Sequence, residues 1–309
     1  MEEFIKFEGQ NEMEFLKRFA DKNVCYAHLA HYKWSEGFVC AQCGSKQEHH
    51  CKREHHKRCK QCLRIISPTA GTLFQKIKFG IDEAFYVVFK KSATTKSISS
   101  EQLSKSIGVN RKTALPFQQK ARLAMQSSEK YPMKGQIEVD EAFIDQKEEG
   151  KIGRGAEQKA QIVLAVEKHG ATGVKRVYVK KIENASAEEL GKIFEKHIAT
   201  DAKVLTDNWK GYPPLTELYA ISQEKSQPDT NFKVMHRCVQ QLKSWLRGIH
   251  HCVNHTYIQG YLDEFCYRIN RSADKSTIFE NHFGRMVDGL YIALKNKSNL
   301  PTLTKWNFL

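Results

Sequence analysis

The sequence predicts an α+β chain of several domains, on three observations. Six of its nine cysteines crowd between Cys25 and Cys62, apolar residues recur at helical spacing from Phe85 to Met125, and β-type runs begin at Ile137, broken by one helical segment. A length of 309 residues accommodates two or three domains with at least one sizeable core. The expected division is 1–75 for an N-terminal helix and a cysteine module, 76–130 for a helical module, 131–275 for the α/β layer and 276–309 for a C-terminal extension.

Composition narrows the function. Lys and Arg number 49 against 35 Asp and Glu, a net charge of +14 with a pI near 9.3, which points to a polyanionic partner. The longest apolar runs, Phe85 to Phe89 and Ile162 to Val166, fall far short of the ~18 residues that suggest a membrane span. The N-terminus, Met1-Glu2-Glu3-Phe4-Ile5-Lys6, lacks the apolar stretch of a secretory signal. The expected place of work is a reducing cytoplasm, with the nucleoid and not a membrane. Cysteines there favour metal ligation over disulfides.

Cys40-Ala41-Gln42-Cys43 and Cys59-Lys60-Gln61-Cys62 stand 15 residues apart. Two such knuckles bring four thiolates to a tetrahedron around one structural Zn²⁺. Cys25 and Cys51 fall outside the pattern. The hairpin between the knuckles, Lys46 to Arg64, carries seven Lys/Arg, two Asp/Glu and four histidines. Its basic tip makes Lys52, Arg53, Lys57 and Arg58 candidate phosphate contacts, and His49, His50, His55 and His56 read as surface histidines beside them.

In the helical module, Ser100 to Ala114 reads as a helix-turn-helix. Ser99 or Ser100 caps a short first helix, Gly108 makes the turn, and Asn110 caps the second helix. Asn110, Arg111, Lys112 and Thr113 then stand where a recognition helix meets base edges. Lys91, Lys96, Lys105 and Lys120 are further expected phosphate partners. The competing reading is an αα-hairpin that never touches DNA.

Within the α/β layer, Glu138-Val139-Asp140-Glu141 is expected to end the first strand and Leu205-Thr206-Asp207-Asn208 the fourth. Alternation puts Glu138 and Asp140 on one face, Val139 and Glu141 on the other. Acidic residues at the ends of rigid strands suit Mg²⁺, a hard ion that takes oxygen ligands. Two such ends on neighbouring strands can hold the ion pair of an in-line phosphoryl transfer. The bland reading makes each Asp a loop cap. Trp209 and Tyr212 either meet flanking DNA or brace the loop.

This order of pieces resembles the insertion-sequence DDE transposases, and within them the bacterial zinc-ribbon group related to Merlin elements, the ISXO-like transposase family. Further matching segments are Trp34 to Cys40, Ser67 to Phe74, Lys243-Ser244-Trp245-Leu246-Arg247-Gly248-Ile249-His250-His251 and Tyr261 to Arg271. The resemblance implies a ribonuclease-H-like catalytic domain, an α/β/α layer around a mixed five-stranded sheet. It also implies binding to transposon inverted repeats, strand cleavage and strand transfer with Mg²⁺ or Mn²⁺, and double-stranded DNA, both transposon ends and target, as the partner. A homodimer or larger assembly on DNA is expected. Asp140 and Asp207 fall where the first two catalytic carboxylates lie.

The third ligand departs from the pattern, because no Glu occupies the expected helix. Seven residues before Lys243 stands His236, and seven residues turn a helix through nearly two full turns, so His236, Lys243 and Arg247 share a stripe. His236 is therefore the candidate third ligand, with Lys243 as a catalytic cation and Arg247 as a DNA contact. Gln241 and Glu264 are the alternatives, although Glu264 falls on a helix whose Leu262, Phe265 and Ile269 recur at core spacing. Trp245, about 200° around the helix from Lys243, reads as core. The competing function is a catalytically inactive or domesticated zinc-ribbon DNA-binding regulator that keeps the fold.

Overall fold

A computed structural model describes residues 4–94, 96–144, 160–227, 230–250, 253 and 255–295, with side chains to residue 288. The chain divides into two compact units, one of Met1–Met125 with Asp274–Leu309 and one of Gln126–Ala273.

The first unit opens with helices α1 (Glu12–Arg18) and α2 (Lys22–Lys33), capped by the Asn11 and Asp21 side chains. Three short antiparallel strands follow, β1 (Glu48–His49), β2 (Lys57–Cys59) and β3 (Ile65–Ile66). Helices α3 (Ile81–Ser92), α4 (Ser100–Ser106) and α5 (Arg111–Leu123) come next. As expected, Gly108 turns in the left-handed region at φ +67° and Asn110 caps α5, accepting from the Lys112 N–H at 2.8 Å. Of the two candidate caps for α4 it is Ser99 that serves, in a capping box with Gln102.

The segment read as a C-terminal extension carries α9 (Ile278–Lys295), which supplies core to this unit. Phe279 and Phe283, one turn apart, are fully buried among Phe15, Phe19, Phe85 and Phe74. Beside them the buried Glu280 accepts from the Phe7 N–H and the Tyr32 hydroxyl and pairs with His28.

The second unit is one sheet with helices on both faces. Its strands are β4 (Gln136–Ile144), β5 (Ala160–His169), β6 (Gly173–Lys181), β7 (Lys203–Thr206) and β8 (Ala220–Gln223), in the order β6-β5-β4-β7-β8. The first three in sequence are antiparallel, β7 runs parallel to β4, and β8 parallel to β7. Helix α6 (Ala187–His197), capped by Ser186, covers the face that presents Ile137, Val139, Val163 and Ala165. Helices α7 (Lys233–His250) and α8 (Ile258–Asn270) cover the other, against Ile162, Leu164, Val166 and Ile144. Three antiparallel strands, a helical crossover and two further strands parallel to the first make this a ribonuclease-H-like fold.

One reading of the layer needs correction. Strand β4 does not end at Glu141; it runs on to Ile144, because β5 continues to pair with it as far as Ala160. Strand β8 carries little sequence signal of its own. Ala-Ile-Ser-Gln is short, largely exposed and without alternation, and only pairing with β7 makes it a strand. Edge strand β6 is covered by α8, whose Gln259 and Asn270 side-chain amides bond the backbone of Lys181, Val179 and Val177 as a neighbouring strand would.

Candidate active site and metal centres

Parallel pairing of β4 with β7 puts Val139 opposite Thr206. One residue further, β7 has stopped while β4 continues, so Asp140 and Asp207 meet where the sheet opens into a notch. Ligand oxygens of Asp140, Glu141 and Asp207 lie within 4.8 Å of one another. Glu141 was not among the expected site residues. Alternation sends its side chain to the α6 face, where the buried Tyr212 hydroxyl donates to its Oε1 at 2.5 Å, yet at the open end of the sheet its carboxylate still reaches the aspartates.

Crowding shows in the protonation of the group. The Asp140 carboxyl is pushed up to about 6, first by burial and then by the Asp207 charge, with the His236 imidazole acting in the opposite sense. Glu141 is pushed up to about 7, chiefly by burial; the Tyr212 hydrogen bond opposes this, and the two aspartates add to it. The Asp207 side chain also accepts from the Trp209 N–H at 3.0 Å, which fixes the turn after β7. Three carboxylates gathered at this distance form a donor set suited to a hard divalent cation.

The ribbon forms a second donor set. The Sγ atoms of Cys40, Cys43, Cys59 and Cys62 lie within 4.8 Å of one another, with Cys40 and Cys62 3.6 Å apart and Cys43 and Cys59 3.5 Å apart. The knuckles turn alike: Gly44 at φ +72° after the first and Leu63 at φ +57° after the second, with Cys40 N–H bonded to Ser45 O and Cys59 N–H to Arg64 O. Backbone N–H groups, led by that of Cys62, hold the Cys59 thiol down at about 6, and those led by Cys43 lower Cys40. Such a set suits Zn²⁺. Cys25, outside the pattern, is buried and donates to Phe19 O.

The family of ISXO2-like transposase domains matches residues 132–270, the segment that contains the sheet, the carboxylates and α7. Residues 132–270 belong to the ISXO2-like transposase domain family. A crystal structure of a pre-cleavage Mos1 transpososome is similar at 10% identity, over 65% of this chain and 74% of that one, with a TM-score of 0.27, too loose an overlap to argue from. No curated protein matches.

Within the transposase domain, the expected third ligands separate. His236, in the first turns of α7, is half-buried, 3.4 Å from Ser226 Oγ and near enough for its charge to act on Asp140, but it stands outside the three-carboxylate group. Lys243 follows two turns later, half-buried, and Arg247 is exposed. Gln241, five residues from His236, points about 140° away around the helix. Glu264 is fully buried in α8, 3.5 Å from the Arg268 guanidinium, in the packing role its spacing suggested. Trp245 packs on the core as expected. Tyr212 braces the loop, whereas Trp209 remains 40% exposed.

The expected DNA contacts also sort by exposure. Lys52, Arg53, Arg58, Arg111 and Lys112 are exposed, Thr113 is half-buried, and the Asn110 side chain is engaged as a cap. Lys57 pairs with Glu48 at 2.9 Å and stands 5.0 Å from the Trp34 ring centre. Two lysines are corrections. Lys91 is fully buried against Ser97, and Lys120 donates to the Gln75 carbonyl, because their helical positions face the packed side of the unit. Among the described residues no helix is long and apolar enough to cross a membrane.

Proposed function

We propose that this protein binds the terminal inverted repeats of an insertion sequence and cuts and joins DNA strands at the notch of its transposase domain. The observation that carries this is the meeting of Asp140, Glu141 and Asp207 at the open end of two parallel strands, in a domain of a transposase family. Asp140 and Asp207 would hold a Mg²⁺ or Mn²⁺ ion, with Glu141 as a third oxygen donor, and the chemistry such an ion would supply is activation of the attacking oxygen and neutralisation of charge at the scissile phosphate. His236 stands beside Asp140 as a further ligand or as a hydrogen-bond donor to that phosphate, and Lys243 adds a positive charge on the same stripe. The Cys40, Cys43, Cys59 and Cys62 ribbon, held by Zn²⁺, brings Lys52, Arg53, Lys57 and Arg58 to DNA phosphates. Asn110, Arg111, Lys112 and Thr113 open the second helix of the reading module, and Arg247 adds a backbone contact.

We assign the work by role to 1–75 for the ribbon, 76–130 for DNA reading and 131–275 for chemistry. Assembly as a dimer or larger complex on two DNA ends, in the cytoplasm, completes the proposal. The test is incubation of the purified chain with DNA carrying the inverted repeats that flank its gene, with Mg²⁺ or Mn²⁺. Metal-dependent nicking at the repeat end, lost on His236→Ala while DNA binding survives, is expected. Salt-dependent binding without nicking supports the inactive-regulator alternative.

A further inference from the structure

Glu138 lies two residues before Asp140 on β4 and, by alternation, on the same face, toward α7. It is 3% exposed, a costly position for a carboxylate, and both of its oxygens are engaged within the domain. Oε2 accepts the Met235 N–H at 3.0 Å, and Oε1 pairs with Lys168 Nζ at 3.1 Å. Met235 is the third residue of α7, so the carboxylate takes one of the N–H groups that a helix start leaves without an internal partner, and its charge favours the positive end of the helix dipole. The residue immediately after Met235 is His236.

Entry into α7 is constrained from the other side as well. Phe232, just before the helix, is buried at φ +54°, a left-handed conformation unfavourable for a bulky side chain, and its carbonyl accepts the His236 N–H at 2.9 Å. Without a tie between β4 and the first turn of α7, that turn is free to relax toward ordinary backbone geometry. Glu138 ties the strand that carries Asp140 to the turn that carries His236.

We propose that Glu138 is a positioning residue that fixes His236 beside Asp140. The proposal rests on the reading of His236 as part of the active site. Lys168 balances the buried charge; the acceptor oxygen facing the Met235 N–H does the positioning.

The test removes the charge and then varies the acceptor. In full-length protein, Glu138→Gln/Lys168→Met keeps an acceptor oxygen without a buried ion pair, and Glu138→Met/Lys168→Met removes the acceptor while filling the space with apolar side chains, which folds tend to tolerate. Nicking of repeat-end DNA with Mn²⁺ is expected to stay within about threefold of wild type in kcat for the Gln variant and to fall at least tenfold for the Met variant, with KM for DNA unchanged in both. Adding His236→Ala to the Met variant should cost no more than His236→Ala alone, because both act through one group. Losses that multiply, or equal kcat in the Gln and Met variants, overturn the positioning role. Full nicking by the single His236→Ala variant instead overturns the reading of His236, and the proposal with it.

Discussion

The ribbon and the transposase domain each gather ligands for a cation, and they do so by opposite routes. In the ribbon, four sulfurs come from 23 consecutive residues, and only Phe38, Cys40, Cys59 and Ile66 are buried around them. In the transposase domain, the carboxylates come from strands 67 residues apart in sequence and rest on two apolar layers, one on each face of the sheet. So small a cluster, with Trp34 and Ala70 packed against it, is the kind that a bound metal stabilises, whereas a two-layer core holds its carboxylates together against their mutual repulsion. The proposal is accordingly a structural metal for the first donor set and a functional one for the second.

The largest expected effect breaks one half of that comparison. Removing zinc with a chelator, or introducing Cys59→Ser, should unfold the ribbon, with a loss on the order of 10 kcal/mol of metal-linked folding energy. Hydrogen exchange should then show protection lost over residues 40–66 and kept in strands β4 to β7. A ribbon that stays protected without metal, or holds less than about one zinc per chain as isolated, contradicts the account.

The second expectation concerns acid, to which the apolar layers are sensitive. His197 closes α6, buried and stacked on Tyr178 at 4.1 Å between ring centres, and burial holds its imidazole down at about 3. Its folded pKa lies below the ordinary value near 6.5, so the unfolded chain takes up the proton first. Stability is therefore complete above about pH 6.5 and declines as pH falls toward 3, by about 3 kcal/mol at pH 4. Urea unfolding of His197→Phe should show a shallower acid decline than wild type; parallel curves would remove His197 as the cause.

Smaller effects sharpen the comparison at the carboxylates themselves. Tyr212→Phe strips Glu141 of its buried donor and should cost about 1–2 kcal/mol without divalent cation. Asp140→Asn relieves repulsion and should leave stability unchanged or raise it by up to about 1 kcal/mol. A marked destabilisation by Asp140→Asn would mean that the aspartate serves the fold.

The same contrast explains what was legible in the sequence. The ribbon is a local object, and C-x2-C pairs at a fixed spacing disclosed the four cysteines whose sulfurs come together. The turn at Gly108 and the cap at Asn110 were local too. Asp207 was legible because it follows an apolar strand, and Asp140 because apolar strand residues precede it, although β4 runs on past it. Glu141 was not, because alternation assigns it to the opposite face, and only the early end of β7 lets both faces converge. Tyr212 and Glu138 act across 71 and 97 residues, on Glu141 and Met235, and no spacing rule encodes such pairings. Lys91 and Lys120 misled for the converse reason: a lysine in a basic stretch reads as surface, and here helix phase turns both inward.

The central claim is that the carboxylate notch is a working phosphoryl-transfer site and not a structural one. The most direct measurement is Mn²⁺-dependent nicking of repeat-end DNA by wild type and by folded Asp140→Asn at equal DNA occupancy. The account predicts a loss of at least about a thousandfold in rate, the scale of removing an essential catalytic group, with DNA affinity retained. Nicking by Asp140→Asn at the wild-type rate would contradict it.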